Sequence, residues 1–302
     1  MKRTVFILSL FMAMTMQSQI LNVTSIDNLH VTNQNKDVTL QAVAISPQGD
    51  YLVLSTDTKQ GLVKWDLKQS TATTITEEPG SGSRVLITDD GQQIVYSEVS
   101  FKNKLRHEAV KSVNLKTGKK STLAKPVRNL HGFNVQHGTV AIVSDRETKL
   151  SAFNGKAAVT RPILTTHHLK MYLTEDGKTT LFAPNGAEEN YIWASLSPNG
   201  NRVLYYVSGH GTFVCDTDGS HVISMGNLTA PKWWDDNTIV GMDELDDEYT
   251  IVASSIVART LDGQEQVLTG DDIIATYPIP SSKTGQIAFS TPSGEVYLIS
   301  VE

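Results

Sequence analysis

The chain has 302 residues, 39% of them hydrophobic and 7% aromatic. That is enough apolar surface for a core, which excludes global disorder. Lysine and arginine number 26 against 32 aspartates and glutamates, a formal charge of -6; a field of that sign repels phosphate backbones and anionic bilayers, which argues against nucleic-acid and membrane-surface partners.

In chain order, the first feature is a charged start, Met1-Lys2-Arg3, followed by an apolar run from Thr4 to Met16 and a polar exit at Gln17, Ser18 and Gln19. This pattern predicts a secretory signal peptide over residues 1–19, with cleavage between Gln17 and Leu21 and a periplasmic or secreted mature protein. The apolar run is short for a bilayer span, so no stable membrane insertion is expected after cleavage. Cys215 is the sole cysteine, which excludes an intramolecular disulfide, a cysteine-based zinc cluster and a lipid-modified cysteine at the signal's end. Within Thr212 to Asp216 it reads as a small buried hydrophobe in a strand.

From residue 38 onward one phrase recurs. Ala44-Ile45-Ser46-Pro47-Gln48-Gly49-Asp50 runs into Tyr51 to Ser55, Leu86 to Gly91 runs into Gln92 to Ser97, and Leu196 to Asn201 runs into Arg202 to Tyr206. Weaker copies stand at Val135 to Gly138, Trp234 to Asn237 and Pro280 to Gly285. Each is a strand, a Pro/Asp/Asn/Gly turn and a returning β-branched or aromatic strand. A second phrase follows within the unit, as in Gly61 to Leu67, Val113 to Gly118, Phe213 to Gly219 and Val257 to Gly263. Four strands joined by three turns form one propeller blade. The turn positions Gly49, Gly91, Gly138, Gly200, Asn237 and Gly285 are separated by 42, 47, 62, 37 and 48 residues, a blade-sized period.

The expected fold is therefore an all-β, six-bladed β-propeller of four-stranded antiparallel blades spanning residues 20–302. The blades are placed at 38–80, 81–127, 128–188, 189–228, 229–272 and 273–302. The long third step holds the irregular stretch Asn154 to Thr166 and a strand pair around Glu175-Asp176-Gly177. It is read as an insertion, because an extra blade would leave a spacing near 23 residues, too short for four strands. The last repeat lacks a fourth strand, and strand-like sequence between Ile20 and Thr32 is expected to fill it and close the ring. Trp65, Trp193 and Trp233 are expected in the cores between blades, and almost no helix is expected.

These repeat phrases, best matched at Ile45 to Ser55, Leu196 to Tyr206 and Phe213 to Gly219, resemble the propeller repeats of TolB-like proteins and of the N-terminal propeller of dipeptidyl-peptidase-IV-type enzymes. The resemblance covers residues 38–302 and implies an envelope or secreted propeller used as an interaction surface or substrate gate. It carries over no catalytic residue, since those peptidases keep their nucleophile in a separate hydrolase domain. The WD40-like pair Trp65-Asp66 occurs in one repeat alone.

No Gly-x-Ser-x-Gly elbow or phosphate-binding loop is present, and Gly80 to Ser83 reads as a turn between blades. Among eight histidines, His131, His168 and His210 are the candidates for a metal, gathered from loops of different blades. His167 and His168 are adjacent, so on a strand they would face opposite ways and could not readily share an ion. The acidic run Asp243, Glu244, Asp246, Asp247 and Glu248 cannot be buried ionised and reads as a protruding hairpin, a candidate partner contact. No cofactor is predicted. The leading functional reading is a non-catalytic propeller binding a protein, peptide or glycan in the cell envelope; the alternative is an envelope polysaccharide hydrolase or lyase with an axial active site.

Overall fold

The computed structural model describes residues 19–31, 39–145 and 147–302. All of the expected signal peptide except Gln19 lies outside them. Among the described residues there are seven antiparallel sheets, and each neighbouring pair shares an apolar cluster. The ring thus has seven blades, not six.

Strand β1 (Val23–Asn28) belongs to the last blade. Blade 1 is β2 (Leu40–Ile45), β3 (Tyr51–Thr56), β4 (Leu62–Asp66) and β5 (Thr71–Thr76); blade 2 is β6 (Val85–Ile87), β7 (Gln93–Lys102), β8 (Leu105–Asn114) and β9 (Lys120–Val127). Blade 3 has three strands, β10 (Leu130–Gln136), β11 (Thr139–Ser144) and β12 (Thr148–Ala152). Blade 4 also has three, β13 (Ile163–His167), β14 (Lys170–Glu175) and β15 (Lys178–Phe182). Blade 5 is β16 (Tyr191–Leu196), β17 (Arg202–Val207), β18 (Gly211–Asp216) and β19 (Ile223–Ser224). Blade 6 is β20 (Thr229–Trp233), β21 (Thr238–Asp246), β22 (Ile251–Thr260) and β23 (Glu265–Val267). Blade 7 is β24 (Thr276–Ser281), β25 (Gln286–Ser290) and β26 (Val296–Val301), completed by β1 pairing antiparallel with β26. First and last segments of the chain therefore share one sheet, and the ring closes without an open edge at the seam. Among the described residues the single helical element is a short 3-10 turn at Ser282–Thr284.

Burial explains why the second strand of each blade is the most apolar. Leu52, Val53 and Leu54 in β3, Ile94, Val95 and Tyr96 in β7, and Ile287, Ala288 and Phe289 in β25 are all fully buried. A strand covered on both faces by neighbouring blades cannot alternate with polar residues. Turns between first and second strands interlock around one rim: the Tyr51 hydroxyl donates to the Gly91 carbonyl at 2.7 Å. Gly49, at φ +67°, leaves room for Gln286 of blade 7, whose Oε1 would lie 2.2 Å from an added Cβ. Trp65 is buried between blades 1 and 7 as expected; Trp193 packs against the core of blades 6 and 7 while also lining the axial channel, and Trp233 packs against the core between blades 5 and 6.

The seventh blade lies inside the stretch expected to hold an insertion, and its compactness has a topological cause. Blade 3 ends after its third strand, so the chain does not cross back before starting blade 4. The innermost strand β13 consequently runs opposite to β10. Gln136, at the end of β10, donates to the carbonyls of Arg161 and Pro162 just before β13, while His131 at the start of β10 stacks on His167 at the end of β13. Elsewhere inner strands run in the same sense: Trp233 at the end of β20 donates to Ser195 near the end of β16. With its direction reversed, blade 4 needs one strand fewer to deliver the chain to blade 5. Three short strands and two tight turns then fit between residues 163 and 182.

Candidate metal centre

The reversal brings together two strand ends that a regular ring would keep on opposite rims. His131 is the second residue of β10 and lies at a bulge: Leu130 pairs with Ser144 and Gly132 with Val143, leaving His131 as the extra residue. A bulge of this kind turns a side chain out of the regular alternation. Asp145 follows β11 in the turn toward β12, which lies on the rim where β10 begins. His167 closes β13, and the next two residues, His168 and Leu169, are both left-handed at φ 48° and 59°. Such a two-residue turn normally calls for Asn and Gly, and holding non-glycine residues there costs about 1–2 kcal/mol each.

One ligand atom from each of His131, Asp145 and His167 lies within 4.8 Å of the others. The Asp145 carboxylate hydrogen-bonds His131 Nε2 at 2.6 Å and accepts from the Asn129 amide. These two bonds hold its carboxyl below the usual aspartate range. The imidazoles of His131 and His167 stack at 4.6 Å with their planes 7° apart, and His168 stacks on His167 at 3.9 Å. Burial, followed by the neighbouring His168 and His131, lowers the His167 pKa and favours the neutral ring with a free lone pair, the form that binds metals. His131 is 9% exposed, and its Nδ1 is buried without a partner. An orphaned buried nitrogen is costly in a finished structure and marks a place where a ligand or ion completes the bonding.

Two imidazoles and a carboxylate suit zinc, manganese or a similar divalent ion. Ligand atoms on one tetrahedral ion stand about 3.4 Å apart for bonds near 2.1 Å, so the cluster needs only side-chain adjustment to close around one. The site opens into a cleft of about 500 Å³ walled by Arg106 and Glu108 of blade 2 and by Thr166 and His168 of blade 4. A metal held here would keep open positions toward solvent.

Of the histidines singled out from sequence, His131 is in the cluster and His168 is beside it. His210 stands apart in blade 5, 3.7 Å from Glu189. His167 joins the cluster and His168 does not, although strand alternation stops at the turn and left-handed backbone carries His168 back over its neighbour's ring. Asp145 had no signal beyond a polar turn. The expectation of no cofactor is overturned by this cluster, and with it the reading of a purely non-catalytic binding module. The acidic run spans the end of β21, with Asp243, Glu244 and Asp246, and the turn to β22, with Asp247 and Glu248. There Asp247 caps the turn by accepting from the Thr250 and Tyr249 amides at 2.8 and 3.1 Å. Cys215 is fully buried and burial pushes its thiol up to about 12, so it is the inert strand residue expected.

Neither a family model nor a curated protein sequence matches this chain. Solved structures do. A TolB-like protein from Agrobacterium tumefaciens, described as a putative TolB, superposes with a TM-score of 0.54 at 15% identity over 92% of this chain and 96% of its own. What the two share is the propeller. A chain of the mitotic checkpoint complex gives a TM-score of 0.55 at 10% identity over 100% and 99% of the two chains. An oligogalacturonate lyase in complex with manganese gives 0.48 at 16% identity over 85% of this chain and 76% of its own. At these identities the likeness is one of fold. No helix among the described residues is long and apolar enough to cross a membrane.

Proposed function

We propose that this chain is an exported metal-dependent hydrolase or lyase acting on a polysaccharide of the cell envelope, with a divalent ion held by His131, Asp145 and His167. The convergence of those three groups from two blades, with the His131 Nδ1 left unpaired, carries the reading. A bound divalent ion supplies Lewis acidity and lowers the pKa of water or of a coordinated substrate oxygen. Around it, Glu108 and His168 stand in the same cleft as groups able to take or give a proton. Asn129 and His131 fix the Asp145 carboxylate between two hydrogen bonds, and such outer partners orient a ligand set and set its basicity. The open rim admits a polymer rather than enclosing a small molecule, and the signal-like start directs the chain to where such polymers are.

The test is depolymerisation of a panel of soluble polysaccharides by protein stripped with EDTA and then reloaded with manganese, zinc or calcium. New reducing ends report cleavage, and ultraviolet absorbance of unsaturated sugar ends separates a lyase from a hydrolase. Cleavage should return with metal and be lost in His131→Ala and His167→Ala, while His221→Ala behaves as wild type. Cleavage that survives EDTA or either active-site variant would refute the proposal.

A further inference from the structure

The first strands of all seven blades line an axial channel of about 580 Å³. No carboxylate lines it, although the protein as a whole is acidic. Four cations do: Lys59, Arg84, Arg161 and Lys232. Two of them are occupied by the protein itself, Lys59 donating to Gln41 Oε1 at 3.0 Å and Arg161 to the Pro198 carbonyl. The side chains of Arg84 and Lys232 make no hydrogen bond or ion pair with any described residue. They come from blades 2 and 6, on different sides of the ring. Each keeps some accessible surface, Lys232 toward the channel and Arg84 toward both the channel and the cleft of the metal centre, where Glu108 stands.

The wall holds these cations in place deliberately. Arg84 lies over the Phe133 ring at 5.4 Å, and its Nη1 sits 2.1 Å from where a Cβ on Gly132 would be, so only glycine leaves room for the guanidinium. Lys232 follows a bulge: Thr229 pairs with Met242 and Lys232 with Val240, so one extra residue puts the lysine on the opposite strand face from a regular register. Blades 5 and 7 carry the same one-residue bulge, with Trp193, Ala230 and Tyr277 all left-handed at corresponding places. Strain repeated at the lining of one cavity points to a shape kept for a ligand. Ser195, also in the wall, has a buried hydroxyl without a partner.

Two unpaired cations near one another in a desolvated channel are unfavourable for the empty protein. Burial lowers the pKa of both; the carboxylate of Glu108 offsets part of this at Arg84, and the charge of Arg84 lowers that of Lys232 further. A low-dielectric channel with this lining concentrates negative charge. We propose that the axial channel binds a compact multivalent anion, a phosphate or a polycarboxylate, between Arg84 and Lys232.

The test is thermal unfolding of the full chain stripped of metal and then dialysed free of chelator, since a chelator such as EDTA is itself a multivalent carboxylate; working without metal separates this site from the metal centre. Inorganic phosphate and citrate are compared with sodium chloride at equal ionic strength. Wild type should gain about 5 °C at a hundredfold excess of anion over Kd, and whichever of the two anions gives the larger gain identifies the source chemistry. Lys232→Met should lose that gain yet melt at or above wild type in chloride, because it removes an unpaired buried charge. A lysine serving only the fold would instead melt lower when replaced. Arg84→Gln is the second variant, read for anion-dependent gain alone. Failure of both anions to exceed chloride, or a full gain persisting in both variants, would overturn the proposal.

Discussion

Blades 3 and 4 differ from the other five in ways that follow from one missing strand. Where blades 6 and 7 meet, the core includes Trp234, Met242, Ile256 and Phe289. Where blades 3 and 4 meet, the buried core is Ala141, Val143 and Ile163. The regular blades spend their sequence on covering each other. The irregular pair has the thinnest packing; left-handed two-residue turns and unpartnered buried polar atoms occur in regular blades too, as at Asn103-Lys104 and Ser195. The candidate metal cluster thus lies where the repeat is broken, because a strand running backward is what sets His167 beside His131.

That contrast can be broken or sharpened by substitution. The largest effect is expected in the regular region: Phe289→Ala removes a fully buried ring stacked on Tyr297 at 5.1 Å and should cost about 3–5 kcal/mol in denaturant unfolding. Leu150→Ala, on the third and outermost strand of blade 3 and 38% exposed, should stay within about 0.5 kcal/mol of wild type. Equal costs would mean that the outer edge of the short blade is covered after all. Next in size is Tyr51→Phe, which deletes the hydroxyl bridging blades 1 and 2 and leaves the Gly91 carbonyl unpaired; about 1–2 kcal/mol is expected.

The smallest effect is electrostatic. Lys111 of blade 2 bonds Glu78, at the end of blade 1, and Glu98 at 2.5 and 2.8 Å. Burial alone would raise the Glu78 pKa, but the hydrogen bond and charge of Lys111 outweigh it and the net shift is downward. Since the folded value is depressed, the ionised carboxylate stabilises the fold above its unfolded pKa of about 4.3, and that contribution is lost as pH falls through the folded value. Wild type should therefore exceed Glu78→Gln in stability at pH 7, and the gap should close on acidification below about pH 4. A gap independent of pH would assign Glu78 a packing role.

Much of the ring was legible in the chain because every blade except blade 4 repeats the turn between its first and second strands, at Gly49, Gly91, Gly138, Gly200, Asn237 and Gly285. The closing strand was legible too, from an incomplete last repeat and an apolar start. Blade 4 escaped the count because its turn glycine, Gly177, joins second and third strands and so falls off the period. The spacing of 23 residues then looked too short for a blade. His131 was visible as a candidate, but its partners were not: Asp145 and His167 meet it only through the reversed strand, and no local pattern encodes strand direction. Arg84 and Lys232 were equally silent: the bulge that redirects Lys232 leaves no fixed mark in composition or spacing, and Arg84 precedes its strand with no pattern of its own.

The central claim is that the break between blades 3 and 4 holds a metal. Calorimetric titration of EDTA-stripped protein with zinc and manganese tests it most directly, comparing wild type with His131→Ala, Asp145→Ala, His167→Ala and His210→Ala. The expected result is one ion per chain, weakened at least about hundredfold in the first three variants and unchanged in the fourth. No binding by wild type, or binding that survives loss of both His131 and His167, would contradict the account.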